Sequence, residues 1–193
     1  MEPRVYKEFE RICSEKNIRG SVLEIGAVPD DSSLLTMKSL SEVTEKVGIN
    51  LDGPYTYKDF SILQGNANAM TCFQNEQFDA VLCNAVLEHD RFFWKTLSEI
   101  RRVTKSGGLI IIGTPGFRTY ALERYLRGSL ALIPFLGRYF SAVTVTLRVH
   151  NHPGDYYRFS PQAFREVFFA GLYEVSIYSL MVPPRIIGCA VKP

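Results

Sequence analysis

The sequence predicts an α/β protein built on a mainly parallel sheet, and three observations carry that prediction. Short strand-like runs recur at 21–26, 46–52, 61–64, 77–84 and 109–115, and residues that break a strand follow each of them. Stretches of helical spacing fall between some of these runs, most clearly Phe93, Leu97 and Ile100 within 91–105. The run Leu109-Ile110-Ile111-Ile112 does not alternate in polarity, as a strand covered on both faces requires.

At 193 residues the chain suits one domain, spanning 1–193, with a sizeable core. A net charge of +2 implies no global field for nucleic acid. Cys13, Cys72, Cys83 and Cys189 are far apart and form no CxxC pair. They read as buried free thiols in a reducing, cytoplasmic compartment. The charged start, Met1 to Glu10, lacks a signal-peptide core, and no apolar window of about 18 residues predicts a spanning helix.

In chain order, 3–17 is an expected amphipathic helix with Val5, Phe9 and Ile12 on one face. Residues 21–26 are the first strand. Leu34, Leu35, Met37 and Leu40 then predict a helix, so the unit reads as strand, tight turn, helix. The second strand ends at Asn50 to Asp52, where Gly53-Pro54 breaks it. A helix over 91–105 carries Arg101, Arg102 and Lys105 at its end, favourable to the dipole, before Gly107-Gly108. The neighbouring aromatics Phe92, Phe93 and Trp94 read as core. Ser160 and Pro161 begin a last helix lined by Phe164, Val167 and Phe168. Two strands, about 172–180 and 186–191, are too close together to be anything but antiparallel neighbours.

Four segments, in order, resemble the class I S-adenosylmethionine-dependent methyltransferases. Val22-Leu23-Glu24-Ile25-Gly26 resembles their first motif, although Val28 and Asp30 stand where further glycines are expected. Gly65-Asn66-Ala67 resembles their Gly-Asp-Ala loop with the acid replaced. Phe78-Asp79 through Val86-Leu87-Glu88-His89 resembles their fourth strand and following loop, and is the most specific of the four. His152-Pro153 through Ser160-Pro161 resembles the stretch before their last helix. The resemblance covers about 20–115 and 150–193. It implies a Rossmann-like seven-stranded sheet with helices on both faces, the last strand antiparallel, and an insertion after the fifth strand.

Rival α/β enzymes lack their signatures here. There is no G-x-G-x-x-G for a dinucleotide and no G-x-x-x-x-G-K-[ST] for a P-loop. Asn84-Ala85-Val86-Leu87 is not the Asn/Asp-Pro-Pro-Tyr/Phe of the amino-methylating nucleic-acid enzymes. The resemblance implies S-adenosylmethionine as the cofactor, and no metal is expected. Gly26 and Ala27 would approach its methionine portion, with Glu24 beneath them. Asn50 or Asp52, beside Leu51, would hold the ribose. Asn66 and Ala67 would meet the adenine, while Asn84, Ala85 and His89 would form the far wall. His150 and His152 are the candidate general bases, since imidazole titrates near working pH.

Residues 116–150 interrupt the alternation. They hold five arginines, Arg118, Arg124, Arg127, Arg138 and Arg148, against Glu123 alone, interleaved with aromatic and aliphatic residues. This reads as a cap that recognises a small, hydrophobic or lipid-linked acceptor, or as a segment in peripheral contact with an anionic membrane. The alternative to an enzyme is a catalytically silent scaffold of the same fold, since Asn50, Asn66 and the altered glycine loop each remove an expected cofactor contact.

Overall fold

A computed structural model describes residues 2–118, 145–146, 154–181 and 184–193. The elements are α1 (Pro3–Lys16), β1 (Gly20–Ile25), β2 (Val43–Asn50), β3 (Tyr55–Tyr57), β4 (Phe60–Gln64), β5 (Phe78–Asn84), α2 (Phe93–Val103) and β6 (Thr104–Pro115), then β7 (Phe117–Arg118), β8 (Val145–Thr146), α3 (Pro161–Ala163), β9 (Tyr173–Met181) and β10 (Pro184–Val191). One eight-stranded sheet has the order β3-β4-β2-β1-β5-β6-β10-β9. Strands β4, β2, β1, β5 and β6 are parallel, β10 runs antiparallel to β6 and β9, and β3 is antiparallel to β4. The sheet is the expected one with an added edge strand, β3, where Tyr55-Thr56-Tyr57 folds back along β4.

Both faces of the sheet are covered. Leu23, Ile25, Val81, Cys83, Ile110 and Ile112 face a layer that includes Leu97, Ile100, Phe164 and Phe168. Their neighbours Val22, Leu82 and Ile111 face α1, whose Val5, Phe9, Ile12 and Cys13 are buried. This two-sided burial accounts for the unbroken apolar runs. Glu2 caps α1 by accepting the Val5 N–H at 2.9 Å, and Asn17 closes it in a left-handed conformation.

Several expectations are corrected. No α-helix follows β1. Leu34–Thr36 and Lys38–Leu40 are 3-10 turns, and the buried Leu34, Met37 and Leu40 recur at their period of three. The last helix is a single α turn, Pro161–Ala163, continued as a π-helix over Phe164–Phe168. The wider π turn leaves Val167 half exposed instead of lining the core. Phe93 packs on Tyr157, Phe159 and Phe168, but Phe92 and Trp94 are exposed. Cys72 is exposed, while Cys13, Cys83 and Cys189 are buried free thiols as expected.

The ladder of β7 and β8 pairs Phe117 with Thr146 and Arg118 with Val145. The inserted segment therefore begins and ends side by side, next to the carboxyl end of β6. Residues 119–144, like His150 and His152, lie outside the described residues.

Candidate cofactor site

The strand order reverses at β1: β2 and β4 lie to one side, and β5 and β6 to the other. A crevice opens at such a switch point, beyond the carboxyl ends of the strands. A cavity of about 530 Å³ occupies it, lined by the ends of β1, β2, β4 and β5 and the loops after them.

Gly26 forms the turn after β1. Its N–H donates to Ile49 O at 2.8 Å, which draws the turn over β2. Its φ is +79°, and a Cβ added there would lie 2.5 Å from Val86 Cγ2. Only glycine fits both the backbone and the space. Across the cavity Ala85 also has a positive φ, 56°, and its N–H donates to Gly113 O at 2.9 Å. A non-glycine residue held in this region is strained, and such strain gathers at binding sites.

Of the residues read from the sequence, Gly26, Asn50, Leu51, Asp52, Asn66, Ala67, Asn84, Ala85 and His89 all line the cavity. Glu24 and Ala27 do not. Ala27 is buried in the α1-side core. Glu24 is buried beneath the loop, where its carboxylate accepts from the Ser33 hydroxyl and from the N–H groups of Leu34, at 3.1 Å, and Leu35, at 3.3 Å. It anchors the first 3-10 turn and so shapes the cavity from below. Burial pushes its pKa up to about 7, against the lowering effect of those three donors.

The two asparagines that stand where the resemblance implies acids are both used within the protein. Asn50 donates its side-chain N–H to Ala27 O at 2.8 Å and tethers the ends of β1 and β2. Asn66 Oδ1 accepts the Asn68 N–H at 2.9 Å and shapes its own loop. Asp52 stands exposed on the cavity rim.

Sequence reasoning missed Asn68, Asp90, Arg91 and Tyr156. Asp90 joins two cavity loops: its carboxylate accepts from Asn68 at 2.7 Å, from Thr96 at 2.7 Å and from the Phe92 N–H at 2.8 Å. Arg91 lies 5.6 Å from the Tyr156 ring centroid at the mouth. Tyr156 arrives there because its N–H, at 2.8 Å, and that of Tyr157, at 3.3 Å, both donate to Glu88 O. The described chain resumes only at Gly154, so the expected base pair His150 and His152 is not placed relative to this cavity. Among the described residues no group of three His, Cys, Asp or Glu side chains could hold a metal, and no helix is long and apolar enough to cross a membrane.

Comparison with known proteins agrees with this architecture. A family model described as a methyltransferase domain matches residues 35–112. That match covers less than half of the chain, and the solved structures that resemble it share its Rossmann-like fold. Among solved structures, Haemonchus contortus phosphoethanolamine N-methyltransferase 2, in complex with phosphomonomethylethanolamine and S-adenosylhomocysteine, superposes with a TM-score of 0.65 at 13% identity, over 99% of this chain and 53% of that one. This chain thus spans about half the length of that enzyme. Burkholderia thailandensis 1,6-didemethyltoxoflavin-N1-methyltransferase gives 0.65 at 14% identity, over 97% and 77% of the two chains. An Archaeoglobus fulgidus SAM-dependent methyltransferase gives 0.64 at 14% identity, over 98% and 93%. No curated protein matches in sequence. In this chain the link that follows β1 consists of 3-10 turns, with Glu24 beneath it.

Proposed function

We propose that this chain is an S-adenosylmethionine-dependent methyltransferase whose cofactor occupies the switch-point cavity. The observation that carries the reading is the Gly26 turn, where a Cβ would fill the space against Val86 and the absence of one leaves a cradle open beside the cavity. The lining fits the cofactor. The Gly26 backbone suits the methionine portion, the exposed Asp52 carboxylate suits two ribose hydroxyls, and the polar Asn66 edge beside Ala67 suits adenine. When bound, the cofactor supplies an electrophilic methyl group on a sulfonium. The chain's own part is positioning, because a nucleophile held about 3–3.5 Å from the methyl carbon gains most of the rate from orientation.

The acceptor is a small molecule. The basic, apolar insert at 116–150 suits a hydrophobic or lipid-linked one, held under a cap or met at an anionic membrane surface. Isothermal titration tests the cofactor reading: S-adenosylmethionine and S-adenosylhomocysteine should both release heat on binding. No heat at millimolar ligand would sink it and favour the scaffold. Vesicle co-sedimentation tests the membrane reading, which requires salt-sensitive binding to anionic liposomes that is lost when residues 118–148 are replaced by a short linker.

A further inference from the structure

Beside the cofactor cavity, several buried polar side chains gather without hydrogen bonds. Asn84 ends β5 and pairs with Gly113, and Arg185 near the start of β10 pairs with Pro115, two residues further along β6. Registered partners, and residues two apart on a strand, point to the same face. Asn84 and Arg185 therefore leave the sheet on one side, the side of α1, where a Cβ on Gly113 would lie 2.5 Å from Asn84 Oδ1 and 2.9 Å from the Phe9 ring. Glu88 reaches the same place from the loop after β5, with Oε1 3.5 Å from Arg185 Nη1.

Asn84 Oδ1, both oxygens of Glu88, and Nε and Nη1 of Arg185 are buried with no hydrogen-bond partner. Thr114 Oγ1 is also unpartnered, but it leaves the opposite face. Each such group destabilises the fold if left unsatisfied. Native interiors hold few of them, and a cluster calls for an explanation. Asn84 also lines the cofactor cavity, so the cluster adjoins it.

The chemistry of the cluster selects its ligand. Three acceptor oxygens stand against two donor nitrogens, and one of these, Arg185 Nη1, already faces Glu88, so the larger unmet need is for hydrogens to reach the oxygens. Nearby, Asp155 and Arg158 form an ion pair, so the group holds two negative and two positive charges. An anion gains no net attraction there and competes with Glu88 for Arg185.

We infer that Asn84, Glu88 and Arg185 form the acceptor subsite, that it takes a hydroxyl or amine nucleophile, and that Glu88 receives the proton this nucleophile gives up. The inference rests on the reading of the adjoining cavity as the S-adenosylmethionine site. As the nucleophile's lone pair forms its bond to the methyl carbon, the carbon–sulfur bond breaks and leaves its electron pair on sulfur. The released proton passes to the Glu88 carboxylate, which becomes a neutral acid. Arg185 favours the ionised carboxylate beforehand, while burial, which pushes the Glu88 pKa up to about 7, favours the protonated product.

Butylamine, butanol and butyrate share one tail and differ only in head group, so they read the subsite directly. Saturation with S-adenosylhomocysteine comes first, followed by the thermal shift each probe adds to that complex. Butylamine or butanol should raise the melting temperature and butyrate should not. Glu88→Gln should remove the donor shift, and Asn84→Ala, which deletes a different acceptor, should reduce it. S-adenosylhomocysteine titration and circular dichroism report whether each variant keeps its fold and its cofactor cavity. No shift by either donor, a donor shift undiminished in Glu88→Gln, or an equal shift by butyrate overturns the subsite. Failure of S-adenosylhomocysteine to bind the wild-type protein overturns instead the cofactor reading beneath it.

Discussion

Substituting Gly26 separates the two reasons for a glycine after β1. At φ +79° an L-residue costs about 1–2 kcal/mol in backbone strain. A Cβ there would lie 2.5 Å from Val86 Cγ2, and moving Val86 costs about 1–3 kcal/mol in overpacking. Gly26→Ala should therefore lose about 2–5 kcal/mol, at the edge of what a marginally stable domain tolerates. Urea denaturation of Gly26→Ala, Val86→Ala and the double variant divides this loss. The backbone part persists in the double variant and the clash does not, so the cycle should show a coupling of about 1–3 kcal/mol. Additivity within about 0.5 kcal/mol would refute the contact as the reason for glycine. The same position tests the ligand. Gly26→Ala that keeps its far-ultraviolet spectrum should bind no S-adenosylhomocysteine by calorimetry, and unchanged affinity in the folded variant would refute the placement of the cofactor.

Glu24 should make stability fall with rising pH. Its folded pKa of about 7 lies above the usual glutamate value of 4.5, so the folded state holds the extra proton between those values, and the penalty grows through that window and levels off above it. The shift corresponds to about 3 kcal/mol, and Glu24→Gln should flatten the pH slope of urea midpoints by its share; an unchanged slope would show the carboxyl to be ordinary. Asn50→Asp supplies the acid that the methyltransferase resemblance implies but sets a carboxylate against Ala27 O, so it should lose about 1–3 kcal/mol and gain no S-adenosylhomocysteine affinity. A gain in both would contradict the tether. Arg102 donates to Met70 O at 2.9 Å, Phe73 O at 3.0 Å and Asn75 Oδ1 at 2.9 Å while paired with Glu99. Arg102→Ala should cost at least about 1.5 kcal/mol and speed amide exchange across 66–75, and protection equal to wild type would show that the loop is held elsewhere.

The strands were legible because each is a run of apolar residues long enough to be covered on both faces, as at 109–115 and 77–84. The cavity was legible for the same reason: once the strands are ordered, their carboxyl ends name Gly26, Asn50, Asn66 and Asn84. What escaped depends on contacts remote in sequence. Nothing near Glu88 announces Arg185, and Tyr156 enters the cavity mouth only because backbone bonds to Glu88 bring it there. Two local features were misread. Leu34, Met37 and Leu40 stand three apart, the 3-10 period, yet they were counted toward a helix of period 3.6. Tyr55-Thr56-Tyr57, strong strand formers, were hidden by the Gly53-Pro54 break before them.

Helix α1 packs on both the second 3-10 turn and β10, two elements far apart in sequence. Its buried Phe9 and Ile12 have no complete surface to lie on until residues 184–191 have been made and have paired with β6. Such long-range closure is slow, and a chain growing on the ribosome would carry this apolar helix face uncovered until β10 has been made. Assembly should therefore be a late, all-or-none event. Nascent chains stalled before β10 should be cut readily by protease within α1, and chains released with β10 in place should resist it.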